Sequence, residues 1–256
     1  MNDDTTCSPI RCIVGGFVLL CLSSAPFTVL AQKPPEYKLV WADEFDGRSL
    51  DLAKWGYRGL GPRRDAINSA ECVTLDGEGH LVLTTRRSLD GILTGMIGTQ
   101  GKFEPQYGYF ECRIRLQKQP GHWSAFWLQS PAYGKIINDV ANTGTEIDVF
   151  EYLTSFGDAL QHTLHWDGYG SAHQSTKAAP VVPGLRESWH TIGFLWTPDA
   201  YVFYVDGRET WRTMEGISHR PEYLILSLEV GTWAGDIGQA VLPDSLLVDY
   251  IRVFQR

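Results

Sequence analysis

Three carboxylates crowd into six positions of GTEIDVFEY, residues 144–152: Glu146, Asp148 and Glu151. Their neighbours Ile147, Val149, Phe150 and Tyr152 are apolar, and no Lys or Arg is interleaved to neutralise them. Side chains alternate faces on a regular strand, so Glu146 and Asp148 share a face and Glu151 falls on the other. One extra residue at Val149 or Phe150, a β-bulge, returns Glu151 to the face of the first two. Two carboxyl groups ~5–5.5 Å apart can then work as a pair, one attacking an anomeric carbon and the other protonating the leaving oxygen. Mutual repulsion raises the proton affinity of at least one acid, which suits a pair that must start with one proton between them. On spacing alone, acids solvating the open face of an antiparallel strand account for the pattern equally well. The apolar neighbours and the missing cations weigh against that plainer reading, because unpaired like charge is destabilising.

The elements that must hold these acids are strands. FECRIRLQ puts Phe110, Cys112, Ile114 and Leu116 on one face and Glu111, Arg113 and Arg115 on the other, and GHLVLTTRR and SLLVDYIRVFQR alternate in the same way. HTIGFLWTPDAYVFYVDGRETW reads as strand, turn, strand, then a tight turn at Asp206-Gly207. No helical stripe runs for three turns, and 26 Gly and 13 Pro punctuate short strands as a sandwich or jelly roll requires. The expectation is all-β, in one domain.

Residues 1–31 carry Arg11, an apolar run from Ile13 and a small-residue ending at Ala31, the pattern of a cleavable secretory signal. This predicts a secreted or periplasmic protein of residues 32–256. Formal charge is −8 for the whole chain, and −7 without Asp3, Asp4 and Arg11. An acidic chain without clustered Lys and Arg argues against nucleic acid or an anionic membrane as partner. Two cysteines, Cys72 and Cys112, follow residue 31; in an oxidising compartment they form one disulfide or stay as two buried thiols, and the sequence leaves both open.

EIDVFE resembles the E-x-D-x-x-E active-site motif of glycoside hydrolase family 16, the laminarinase, agarase and carrageenase group, in its bulged form. The likeness runs through LVWADEFDG, LDLAKW, YGYFECRIRL, GHWSAFWL, HTLHW, YLILSLEVGTWAGD and LPDSLLVDYIRVFQ. It implies a concanavalin-like β-jelly roll of two curved antiparallel sheets with a substrate cleft on the concave one. It also implies Glu146 as nucleophile, Glu151 as acid/base and Asp148 as the residue assisting the nucleophile. The activity implied is retaining endo-hydrolysis of a β-linked polysaccharide, β-1,3- or β-1,3/1,4-glucan first, an agarose-, porphyran- or carrageenan-type galactan second, by a monomer needing no cofactor for catalysis. A non-catalytic carbohydrate-binding jelly roll, and transglycosylation with the same acids, are the competing readings.

Pyranose C–H faces stack on aromatic rings. Trp123 and Trp127 have the same parity on a strand, and in the family the matching tryptophans belong to the cleft. The likeness likewise puts His165 near the acid/base, hydrogen-bonded to Glu151 or to a sugar hydroxyl; Glu229 and Trp233, in LSLEVGTWAGD, are read as substrate-binding, the acid through sugar hydroxyls. Glu229 stands where laminarinases carry an apolar residue. His162, three positions before His165, falls on the opposite face and reads as structural. Trp41, Trp55, Trp189, Trp196 and Trp211 read as packing, and Trp166 is undecided. A structural calcium of the family type would use Glu44 and Asp249.

Overall fold

The computed structural model describes residues 33–256, besides Met1. The expected signal segment 1–31 lies outside these residues apart from Met1, and no described helix is long and apolar enough to cross a membrane. Strands dominate, as the period-two stretches require; the one α-helix among the described residues is the single turn Val140–Thr143.

The strands form two sheets, of eleven and seven strands. The seven-stranded sheet runs Gln174–Ala178, Gln161–Trp166, Glu146–Leu153, His122–Gln129, Tyr223–Val230, Met96–Gly98 and Gly56–Tyr57, and every pairing in it is antiparallel. The larger sheet departs from the expected all-antiparallel pattern at one short edge, where Ala66–Asn68 pairs in parallel with Gly91–Thr94. Apolar faces meet between the sheets. Phe126, Leu128, Ile147, Phe150, Leu164 and Leu226 from one side pack against Phe110, Cys112, Ile114, Phe194, Phe203, Ile251 and Val253 from the other. Burying side chains of this size is worth roughly 1.5–3 kcal/mol each, so these contacts hold the sheet that carries the acids.

The alternation read from FECRIRLQ is realised: Phe110, Cys112, Ile114 and Leu116 are buried, while Glu111, Arg113 and Arg115 turn outward. Asp206 and Gly207 both have positive φ, 49° and 73°, the geometry that lets two residues join twisted strands. Cys72 sits in a 3-10 turn, Ala70–Cys72, rather than in a strand, and both it and Cys112 are free, buried thiols. Trp55 and Trp196 are fully buried, and Trp41, Trp166 and Trp211 pack against the core. Trp189 instead lies between Arg113 and Arg115, at 5.0 and 5.4 Å, and stacks on His80.

Candidate active site

The bulge is where the acid spacing demands one. Along Gln161–Trp166, Asp148 pairs with Thr163 and Glu151 with Gln161, so Val149 and Phe150 together oppose His162. Along His122–Gln129, Phe150 pairs with Phe126 and Asp148 with Trp127, which leaves Val149 without a register partner on either neighbour. Ile147, Val149 and Phe150 all enter the core, and Glu146, Asp148 and Glu151 all line one cavity of about 620 Å³ on the other side. Gly144 sets the entry to this strand. At φ 89° it adopts a backbone that L-residues avoid, and a Cβ there would collide with Ser130 and the Glu222 carboxylate.

Burial dominates the acids' electrostatics. It pushes the carboxyls of Glu146 and Asp148 above the usual range, although Tyr169 and Gln129 oppose the rise at Glu146 by donating hydrogen bonds to its carboxylate. Glu151 is pushed up to about 7 by burial and then by the Glu146 charge. Its nearest polar neighbours are Gln161 and Thr163, both at 3.4 Å. A carboxylate held by two donors beside a second acid titrating near neutrality can exist as one ionised and one protonated group, the state that acid-assisted nucleophilic attack needs.

Among the three acids His165 reaches Asp148, with Nε2 3.5 Å from its carboxylate, rather than Glu151. Its Nδ1 is 2.9 Å from Nε2 of His173, and burial, then the His173 and Lys177 charges, press it down to about 4, so the imidazole is neutral at pH 7.

Trp123, Ala125 and Trp127 share the cleft face, as their parity requires. Trp127 donates its indole N–H to Ser227 at 3.1 Å. Trp233, 46% exposed, meets Trp123 edge-on at 5.3 Å. Glu229 lines the cleft, and its carboxylate is already paired within the protein. Arg63 grips it through two hydrogen bonds of 3.0 and 2.9 Å, and Arg64 adds a third at 2.8 Å while lying over Trp123. Arg58 covers Trp127 and Tyr223. The arginines, Gln129, Tyr169 and His173 were not visible in the sequence. They lie 8 to 166 residues from their partners, and no local pattern links them.

The expected calcium acids do not fit a cation. Arg252 binds Glu44 at 2.8 and 2.7 Å, and Arg113 pairs with Asp249, so neither carboxylate is free to ligate. The one group of three potential metal ligands among the described residues is Glu146, Asp148 and His165, inside the acid cluster itself.

A beta-glucanase of Rhodothermus marinus is 29% identical over 88% of this chain and 87% of its own length. A keratan-sulfate endo-1,4-beta-galactosidase of Sphingobacterium multivorum is 28% identical over 86% of the chain, which spans 56% of that protein. The X-ray structure of the laminarinase from Rhodothermus marinus superposes with a TM-score of 0.73 at 28% identity, over 86% of this chain and 97% of that one. The family model described as glycosyl hydrolases family 16 matches residues 63–252, and the chain belongs to that family.

Proposed function

We propose that the chain is a retaining endo-β-glycosidase that cleaves a β-1,3- or β-1,3/1,4-glucan. The observation that carries this reading is the bulge, which brings Glu146 and Glu151 to one side of the sheet and one cavity. Glu146, oriented by Gln129 and Tyr169, attacks the anomeric carbon while Glu151 protonates the glycosidic oxygen. Water, deprotonated by Glu151, then releases the sugar from Glu146 with net retention. Asp148, buried between them, has its carboxyl pushed above the usual range by burial and by both glutamates, and stands beside the nucleophile as the assisting residue. Trp233, 46% exposed, offers a stacking surface for a sugar ring, whereas Trp123 and Trp127 are buried at 5% and 7% exposure beneath Arg64 and Arg58 and support the cleft floor. The chemistry uses carboxylates and water alone.

Residues 1–31 serve as a cleaved secretory signal in this reading, and residues 32–256 as the catalytic domain. N-terminal sequencing of the exported protein checks both. A β-galactan is the second reading, favoured by the Arg63–Glu229–Arg64 clamp, which adds cationic guanidinium groups to the cleft. Reducing-sugar release from laminarin, lichenan, agarose, porphyran, carrageenan and keratan sulfate decides between them. Cleavage of laminarin or lichenan supports the glucan reading, and cleavage confined to the galactans supports the second. Binding without release from any polymer would mean a carbohydrate-binding protein instead.

A further inference from the structure

His162 reads as structural from its parity, yet it occupies the position directly opposite the bulge. Val149 and Phe150 on the acid strand both face it across the ladder. Its side chain turns into the core, fully buried, and its Nδ1 lies 2.6 Å from the carbonyl oxygen of Val149. A carbonyl only accepts, so the proton sits on Nδ1, and the neutral ring leaves Nε2 as an acceptor. That second nitrogen is 2.9 Å from the hydroxyl of Thr210, on the strand Arg208–Thr213 of the other sheet. The single hydroxyl proton has two acceptors in reach, this nitrogen and the Phe203 carbonyl at 3.1 Å.

Thr210 is itself an inserted residue. Phe203 pairs with Trp211 and Tyr204 with Glu209, so Thr210 has no register partner on that neighbour. One imidazole therefore joins the extra residues of two bulges across the core, one of them between Asp148 and Glu151. Phe203, with its ring centroid 4.7 Å from that of His162, packs beside the link. A core that needed only volume here would be served by Leu or Phe, without the cost of burying two polar nitrogens.

We propose that His162 is a positioning residue for the acid pair: by holding the Val149 carbonyl from the core side it fixes the bulge, and with it the placing of Glu151 relative to Glu146. The inference rests on the reading of those two glutamates as nucleophile and acid/base. A carbonyl released from His162 lets the bulge relax, and displacement of a reacting group by about 1 Å can cost on the order of 10²-fold in rate.

The test compares His162→Leu, which removes both hydrogen bonds, with His162→Asn, whose amide Nδ2 takes the place of Nδ1–H but cannot reach Thr210. Both are assayed on whichever polymer the wild type cleaves, with kcat, KM, pH profile and thermal melting recorded. The expected result is a kcat loss of about 30-fold or more in His162→Leu, with KM within about 2-fold. Its alkaline limb moves to lower pH as Glu151 escapes the Glu146 charge. His162→Asn recovers kcat to within about 3-fold of wild type, although it melts as low as the Leu variant. Wild-type kcat and pH profile in His162→Leu, or equal kcat losses in the two variants, would overturn the proposal.

If His162→Leu does not fold, Thr210→Val removes the far end of the link. A kcat loss of about 2- to 3-fold that Thr210→Ser restores supports the role, and an unchanged kcat refutes it. A wild type that releases no sugar from any polymer refutes the underlying function instead, so the two failures are distinct.

Discussion

The two faces that point away from the core treat acids in opposite ways. On the outer face of the eleven-stranded sheet, Glu44 is gripped by Arg252, Asp249 by Arg113, and Glu111 accepts from Tyr250 at 2.9 Å. On the open face of the seven-stranded sheet, Glu146, Asp148 and Glu151 lie in one cavity with no ion pair to Lys or Arg among the described residues, and all three titrate above their ordinary range. Glu229 is the instructive exception. It shares the cleft with the three acids but is neutralised by Arg63 and Arg64, the treatment given to the outer face. Within the cleft, the carboxylate that receives cations is Glu229, and the three left without one are those the proposed chemistry uses.

The comparison breaks most sharply at the unpaired acids. Glu146→Gln should lower kcat by at least about 10⁴-fold, with binding of the polymer retained, as measured by affinity electrophoresis. Glu151→Gln should cost about 10²–10⁴-fold. Because Glu151 titrates at about 7 and is proposed to act first as an acid, wild-type activity should fall as pH rises through that value. The Gln variant, with no proton to lose, should lack that alkaline limb in a stopped assay across pH 5–9.

A smaller effect belongs to the donors around Glu146. Tyr169→Phe removes a hydrogen bond that favours the ionised nucleophile, so the acid limb of kcat/KM should move to higher pH and activity at neutral pH should fall about 10-fold. An unmoved acid limb would show that Tyr169 only covers the site.

Behind the acid strand, Glu222 sharpens the contrast between buried and paired acids. It is fully buried, accepts from the Thr145 N–H at 3.0 Å, and is pushed up to about 8 by burial. Folding favours its neutral form. The stability this confers is complete below pH ~4.5, where the unfolded chain is also protonated, and is lost as pH rises towards 8. Glu222→Gln is uncharged throughout, so its melting temperature should decline less than that of wild type between pH 5 and 9. Parallel curves from differential scanning fluorimetry would contradict this.

The smallest effect is expected on the outer face. Arg252→Leu breaks a half-exposed pair worth about 0–1 kcal/mol, and kcat should not change.

Much of this was legible in the chain because its information is local. Alternation in FECRIRLQ gave the buried face, Asp206-Gly207 gave the hairpin, and the odd step from Asp148 to Glu151 gave the bulge. Parity also placed Trp123 and Trp127 on one face. What escaped depends on partners brought together by the fold. Period two assigns a side chain to a face but not to a neighbour, so it could not show that Arg63 would reach Glu229, that Tyr169 would meet Glu146, or that Arg252 would take Glu44 from a cation. For the same reason His162 reads as a core residue, while its link to Thr210 waits on the packing of two sheets.

The central claim, that Glu146 and Glu151 act on one sugar from the same side of the sheet, is tested most directly by the configuration of the first product. Proton NMR of a cleaved polymer, recorded before mutarotation sets in, should show the β-anomer appearing first and the α-anomer growing only later. An α-anomer released first would mean a single inverting displacement, and the paired-carboxylate account would be wrong.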